Sequence, residues 1–514
     1  MNVGVALKST ARRAPEAIAV IDGDERLTYG ALDERTDRLA NALRDELGVA
    51  RGEAVALLAA NRTAVVEVLG GCAKAGAVYC GLNFRLGEDE YDSILENAAP
   101  RVIVAGAEHR DLATRLAERH GCRLLDLDDE GEHGFEAVLS RAATTTPEAL
   151  HEIRSADDFC LVYTSGTTGR PKGVLFDVGA VVQHATVAVV EFELDAASRW
   201  LVALPHNSSV QITLLPLILV GGTVIFDEAR GFDGRRFADA VARHGATHTY
   251  LVPTMLFRLL EAGVAGDEIP TLTTIGYGAA PIPPSRVREL VGRFGPRFAQ
   301  LYGMAEVASI GTMLRKEDYA RAFAGEDGIF ASCGRPSCVM DVRVVDGEMH
   351  DVPDGERGEI VFGSPHTMKG YHRDPERTGA ALIDGWMHSG DIGLRDADGY
   401  LYVVDRMKDL IIRGGFNIVP SEIENVLYAH PAVLEAAVVG VPDAEWGEAL
   451  AAGVALKDGA AVDEAGLRAW CRDQGLPSVK VPERIAFFDG LPKNAVGKLA
   501  KREVRDVLLA AEVG

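Results

Sequence analysis

The run Tyr163-Thr-Ser-Gly-Thr-Thr-Gly-Arg-Pro-Lys-Gly-Val174 restricts the fold of this chain more than any other segment. It leaves a strand-like apolar stretch, Phe159 to Tyr163, and leads toward a helix expected over Val178 to Val190. Gly166 and Gly169 let backbone amides turn toward an anion. Thr164, Ser165, Thr167 and Thr168 add hydroxyls, and Lys172 adds a compact positive charge. Such a loop at a strand end reads as a phosphate cradle and needs an α/β layer behind it. It differs from the GxxxxGKS/T loop, because Pro171 precedes Lys172 and Gly173 occupies the Ser/Thr position. A plain surface turn is the competing reading, but turns rarely gather hydroxyls, glycines and a lysine at one strand end.

The layers show on both sides of this loop. Helical spacing of Leu32, Leu39 and Leu43 precedes the apolar run Ala54 to Ala59 and a helix-like stretch from Ala64 to Ala75. Strand-like runs recur at Val102 to Val104, Thr223 to Phe226 and Thr249 to Val252, with helical segments at Phe237 to Arg243 and Ser285 to Phe294. After Gly347 short strands and turns take over, as in Gly358 to Phe362 and the Asp396-Ala-Asp-Gly399 turn before Tyr400 to Val404. The C-terminal part reads as an α+β unit, with strands near Ala436 to Val441, Ala451 to Leu456 and Arg484 to Phe488 and a helix from Glu464 to Asp473. The expected fold is α/β. A large N-terminal assembly over 1–404 holds two α/β layers and a β-rich subdomain, 405–408 form a hinge, and 409–514 form a small mobile α+β domain. Ser421-Glu-Ile-Glu424 has the spacing of a capping box, opening a helix that Pro431 closes.

At 514 residues the chain has room for roughly three or four folding units, and its 47% hydrophobic content supports a sizeable core. Acids outnumber bases 76 to 53, a formal charge of -23, which speaks against wrapping nucleic acid or sitting on an anionic membrane. From Asp405 onward there are 17 acids and 13 bases, so -4 belongs to that part and -19 to the longer N-terminal part. The seven cysteines are scattered without CxxC pairs, which fits reduced thiols in a cytoplasmic protein better than disulfides or a zinc site. The densest apolar stretch, Leu214 to Val220, is broken by Pro216 and too short to span a bilayer.

Further segments stand in order along the chain: Gly278-Ala-Ala-Pro281, Tyr302-Gly-Met-Ala-Glu306, Trp386-Met-His-Ser-Gly-Asp391, Asp405-Arg-Met-Lys-Asp-Leu-Ile-Ile-Arg-Gly-Gly415 and Leu491-Pro-Lys-Asn-Ala-Val-Gly-Lys498. With them the chain resembles, over nearly its whole length, the acyl- and aryl-acid adenylating superfamily of acyl-CoA synthetases, luciferases and the adenylation domains of peptide synthetases. Any one of these segments alone would be weak evidence; the ordered set is not. The resemblance implies a two-step reaction. A small-molecule carboxylic acid attacks the α-phosphorus of ATP, giving an acyl-adenylate and pyrophosphate, and the thiol of CoA then displaces AMP.

By the same resemblance Thr164, Ser165, Gly166, Thr167, Thr168, Gly169 and Lys172 hold the triphosphate, and Gly278, Ala279, Ala280, Tyr302, Gly303, Met304 and Ala305 line the nucleotide. Asp391 and Arg406 would fix the ribose hydroxyls, and Glu306 would hold Mg2+, a hard cation that prefers oxygen ligands. Lys498 would offset charge between the carboxylate and the α-phosphate, so the catalytic roles fall on Lys498, Glu306 and Lys172. Lys408 stands at the family's hinge position, and Gly414 and Gly415 would line the thiol tunnel once the small domain rotates. Taken singly, Asp391 reads as a turn residue, Glu306 as a helix-start acid, Lys498 as a solvated lysine and Gly414-Gly415 as a hairpin turn. A protein of charge -23 that accepts polyanions needs local cations, here Lys172, Arg406, Lys408 and Lys498, with Mg2+ at Glu306.

Departures from the family pattern point to the acid. Ala305 stands where a threonine is usual, and aryl-acid members share that Gly-Met-Ala-Glu; they also often carry His-Asn, as in His206-Asn207, where the Asn can bond an ortho substituent of a benzoate-like ring. Pocket residues by motif position are His206, Asn207, Val210, Gln211, Tyr277, Gly278, Met304 and Ile310. Tyr277 and Asn207 are the polar handles and Val210, Met304 and Ile310 the apolar body, which suits a compact aryl or medium acyl acid. A packed core aromatic for His206 and a turn residue for Asn207 are the plain alternatives. CoA is favoured as acceptor because no room is left for a fused carrier domain after Gly514. A stand-alone enzyme loading a carrier protein, or an adenylating ligase using another oxyacid or an amine, shares these motifs, and a homodimer stays open.

Overall fold

The computed structural model describes residues 2–164, 171–227, 231–443, 446–493 and 499–510, the side chains of 208, 209 and 417 excepted. Their strands form four sheets. In the seven-stranded sheet, Ala54–Leu58, Val78–Gly81 and Val102–Ala105 are buried at every position, because helices cover both faces. Val55 and Leu57 enter the core shared with helices Tyr29–Asp45 and Thr63–Ala75, whereas Ala56 and Leu58 enter the one shared with Glu88–Ala98 and Arg110–His120. Asp158–Thr164 runs parallel to Val78–Gly81 in this sheet and pairs antiparallel with Lys172–Asp177, Thr164 opposite Lys172. Asp177 then caps the helix Val178–Glu191 by accepting from the Ala180 amide at 2.7 Å.

The nine-stranded sheet is parallel through six strands and antiparallel at both ends. Its strand Ile18–Asp22, from the start of the chain, lies beside Thr223–Phe226 with Val20 opposite Val224. Thr274–Tyr277 and Phe298–Tyr302 are neighbours here, and both end toward the motifs that follow them. A third, antiparallel sheet contains Gly358–Gly363, Trp386–Arg395 and Leu401–Arg406. The short turn Met407–Asp409 leads from it to the fourth sheet, built on the long hairpin Val433–Asp443 and Gly447–Leu456 and packed with helices Pro420–Tyr428, Glu464–Asp473 and Lys501–Ala510. The expected α/β class, with a β-rich third sheet and a smaller C-terminal α+β unit, is therefore the architecture formed.

The capping box expected at Ser421–Glu424 does not form. The helix begins at Pro420, the Ser421 amide donates to Asp405 Oδ2 at 3.0 Å, and the Ser421 hydroxyl donates to the Val404 carbonyl. Glu424 turns away to accept from the Val438 amide at 2.7 Å and to pair with Lys501 at 2.8 Å. A partner brought in from the third sheet displaces the local cap. No helix among the described residues is long and apolar enough to cross a membrane.

Candidate active site

Two polar groups meet where the first three sheets come together. Thr164 pairs with Lys172 across the hairpin, and Lys172 Nζ lies 5.1 Å from the centre of the Tyr371 ring, a cation over an aromatic face. The Tyr371 hydroxyl donates to Glu306 Oε1 at 2.6 Å, and the Met368 amide donates to the Glu306 carbonyl at 2.7 Å. Glu306 is only 7% exposed, so this hydroxyl fixes the direction of a carboxylate largely removed from water. The second group lies on the third sheet. Asp391 and Arg406 are opposite each other on paired strands, with Arg406 Nε 3.1 Å from Asp391 Oδ1, and Tyr302 donates to Asp391 Oδ2 at 2.9 Å. Burial, with Asp391 beside it, holds the Tyr302 hydroxyl well above its ordinary pKa, so it remains a donor. The segment Tyr302 to Glu306 joins the two groups.

Lys408 reaches the same place. Partial burial of its ammonium lowers its pKa, Arg406 and Lys172 act in the same direction, and Asp409 and Asp391 oppose them. The hinge lysine of the sequence thus shares the field of the phosphate-loop lysine and of Asp391. Gly278 follows the strand Thr274–Tyr277, and a Cβ there would stand 2.5 Å from the Leu301 carbonyl oxygen and 2.6 Å from the Tyr250 hydroxyl. Ala279, next to it, adopts φ 71°, and Ala280 completes the bend. Gly303 is equally confined, with Gly311 N and Ser309 O each 2.9 Å from where its Cβ would be. Met304 and Ala305 pack half-buried against the main core.

Of the acid-pocket residues, Val210 and Ile310 are buried apolar groups. His206 opens a short helix, His206–Ser209, that runs into a π-helical turn, Val210–Leu214. The His206 ring is fully buried with Nδ1 3.1 Å from the Tyr79 hydroxyl, and burial lowers its pKa to about 4. Asn207 is half-buried and Gln211 buried; among the described residues Asn207 Oδ1 and Gln211 Nε2 have no hydrogen-bond partner. Tyr277 corrects the expectation of a polar handle. Its hydroxyl bonds Gln300 at 2.9 Å and Tyr319 at 2.6 Å in the second core, because alternation along the strand sends Tyr277 to the face opposite Gly276 and Gly278. Tyr250, whose hydroxyl stands beside Gly278, occupies the face assigned to Tyr277.

Gly414 and Gly415 form the turn between strands Ile411–Arg413 and Phe416–Ile418, at φ 54° and 84°, and Gly414 lies against Trp446, just before the strand Gly447–Leu456. Ser165, Gly166, Thr167, Thr168, Gly169 and Lys498 lie outside the described residues. Tyr371 and Tyr250 escaped the reading of the sequence. Tyr371 had a faint signal in the Gly370-Tyr371 pair within a glycine- and proline-punctuated run, and Tyr250 had none.

The carboxylate–tyrosine–lysine group and the aspartate–arginine group thus lie side by side, joined by one segment. Residues 7–372 match the AMP-binding enzyme family, and residues 422–498 match its C-terminal domain. This chain belongs to the AMP-binding enzyme family. Within it, the chain is 40% identical over 500 residues to a feruloyl-CoA synthase of Amycolatopsis sp, covering 96% of each. Among solved structures, ATP-bound MatB from Rhodopseudomonas palustris superposes with a TM-score of 0.88 at 28% identity, covering 99% of both chains. The amide bond synthetase McbA from Marinactinospora thermotolerans gives 0.87 at 30% identity, covering 99% of this chain and 100% of its own. As an AMP-binding enzyme the chain is an α/β adenylating protein with a small C-terminal domain.

Proposed function

We propose that this protein is an AMP-forming acid–CoA ligase that activates a compact aryl acid, working in the cytoplasm on ATP, a free acid and CoA. The observation that carries the reading is the junction of the Lys172–Tyr371–Glu306 group with the Tyr302–Asp391–Arg406 group through one short segment. Phosphates would lie on the first and the ribose diol on the second. Asp391 would accept from the ribose hydroxyls while Tyr302 and Arg406 hold its carboxylate in orientation.

The donor set suits Mg2+: Glu306 offers a buried anionic oxygen set by Tyr371, and phosphate oxygens and water would supply the other ligands. Mg2+, when bound, offsets phosphate charge. The protein's own part is to hold the reactants. Lys172 would grip the departing pyrophosphate side, and Lys498 would bridge the acid's carboxylate and the α-phosphate. A carboxylate oxygen bonds the α-phosphorus as the bond to pyrophosphate breaks. The thiol sulfur then bonds the acyl carbon, loses its proton, and AMP leaves with the old acyl oxygen.

For the acid, half-buried Asn207 and buried Gln211 between apolar Val210 and Ile310 support a compact ring with a polar substituent, and the similarity to a feruloyl-CoA synthase points the same way. Pyrophosphate exchange over aryl and alkyl acids, followed by AMP release with CoA, with a carrier protein and with an amine, tests both halves. Fastest exchange with an aryl acid and AMP release with CoA are expected. Exchange with no acid would sink the activation reading, and AMP release only with a carrier protein or an amine would replace CoA.

A further inference from the structure

A polar island lies inside the main hydrophobic core, where the helix Val178–Glu191, the π-helical turn Val210–Leu214 and the run Ser364 to Met368 approach one another. His184 is 1% exposed and His366 fully buried, and their rings meet edge to face with centres 5.5 Å apart. His366 Nδ1 lies 2.7 Å from the Ser364 hydroxyl. Among the described residues, His366 Nε2, both ring nitrogens of His184, Gln211 Nε2 and Thr367 Oγ1 are buried without a close hydrogen-bond partner. The backbone of Gln211 and of Ala308 lies near enough to the His184 ring to favour its protonated form. Burial, and for His184 also its neighbour His366, lowers the two pKa values to about 3 for His184 and about 4 for His366. Both rings are thus neutral, each with one donor and one acceptor nitrogen.

So many unanswered polar atoms in an apolar core are costly unless something else completes their hydrogen bonds. Their placement indicates what does. Gln211 stands on the π-helical turn beside Val210, and π-helical turns recur at functional sites. Ala308 and Ser309 hold φ of 53° and 73° in the segment that follows Glu306. Met368, two residues after His366, is hydrogen-bonded to the Glu306 carbonyl. The island is therefore tied to both the wall and the floor of the acid site. Among the described residues no carboxylate or other cation acts on either ring, so a charged group would be unpaired there, whereas a hydroxyl could donate and accept at once.

We propose that His184 and His366 form a hydrogen-bonding floor to the acid pocket and select aryl acids carrying a ring hydroxyl, which donates to an imidazole nitrogen and accepts from Gln211 Nε2–H. The inference rests on the aryl-acid reading above. These are specificity residues: the carboxylate at the other end of the acid meets the reacting phosphorus in either case.

The test is pyrophosphate exchange by the full chain with 4-hydroxycinnamic and cinnamic acids, comparing kcat/KM for wild type, His184→Phe and His366→Leu. Wild type should favour the hydroxylated acid at least ~10-fold, and each variant should cut that preference toward unity with cinnamate changed less than ~3-fold. His184→Asn should restore part of the preference. Equal losses on both acids, or no preference in wild type, would overturn the assignment and leave the island as a set of water-bound core groups. If alkyl acids prove to be the substrates, the aryl reading fails, and the floor is judged by the same ratio with terminally hydroxylated and plain alkyl acids of one length. Should His184→Phe not fold, His366→Leu decides.

Discussion

Substituting His248 by glutamine should remove a defined share of this protein's acid sensitivity. In the native fold His248 is stacked on Trp200 with ring centres 5.8 Å apart, its Nε2 lies 3.0 Å from the Phe192 carbonyl, and its Nδ1 lies 2.7 Å from the Thr247 hydroxyl. One tautomer of the neutral ring satisfies both contacts, with Nε2–H donating and Nδ1 accepting. Burial is the main reason its pKa falls from 6.5 to about 4. Below pH 6.5 the unfolded chain takes up a proton that the native ring refuses, so stability drops as the pH drops, and the loss runs from 6.5 down to about 4. Between pH 7.5 and 5.5 one such group loses about 1.3 kcal/mol, against a native stability of roughly 5–15 kcal/mol. His184, His206 and His366 are buried in the same way and act in the same direction, while Glu67 and Glu424, raised chiefly by burial, oppose them. The difference between wild type and His248→Gln cancels all of these. Urea unfolding of both proteins at the two pH values, followed by intrinsic fluorescence, should show the variant losing about 1.3 kcal/mol less than wild type. Equal losses would refute the claim that His248 is held neutral by burial.

Tyr371→Phe keeps the ring beneath Lys172 but leaves the Glu306 carboxylate without its donor; pyrophosphate exchange should slow by about tenfold or more and need more Mg2+, and an unchanged Mg2+ dependence would remove Tyr371 from the site. Tyr302→Phe frees Asp391 to turn and should raise KM for ATP about tenfold with a smaller effect on KM for the acid; equal changes in both would argue against a ribose role. Lys498→Ala should greatly slow adenylation and spare thioester formation from supplied acyl-AMP, whereas Lys408→Pro should do the reverse. Loss of adenylation alone in Lys408→Pro would remove the hinge role.

The layers of the fold were legible because buried parallel strands are continuous apolar runs. Thr223–Phe226, Arg484–Phe488 and the helix Glu464–Asp473 fall where the sequence puts them. What it could not show was decided by partners distant in the chain. The helix after Val419 is held by Asp405, so a local capping pattern misled. Which face Tyr277 takes depends on strand phase, and with Gly276 and Gly278 on either side no hydrophobic alternation records it. Tyr371 meets Glu306 across 65 residues, a contact that neither segment announces. The glycines were legible for the opposite reason, since Gly278 sits against the main chain of Leu301 on the neighbouring strand and Gly303 against that of the Ser309–Gly311 loop, leaving no space for a side chain.

The strand Ile18–Asp22 has its parallel neighbour in Thr223–Phe226, and the Thr223 hydroxyl donates to the Ile18 carbonyl at 2.8 Å. During synthesis this strand can pair at once with Glu25–Thr28, but its parallel neighbour emerges only some two hundred residues later. The first sheet is made largely from residues in between, so the ribosome-bound nascent chain carries the hairpin of Ile18–Asp22 and Glu25–Thr28 with one strand edge unpaired alongside a nearly complete layer. Loss of that pairing would strip one side of Thr223–Phe226 and expose a buried apolar parallel edge, which makes the strand Ile18–Asp22 a determinant of whether newly made chains aggregate.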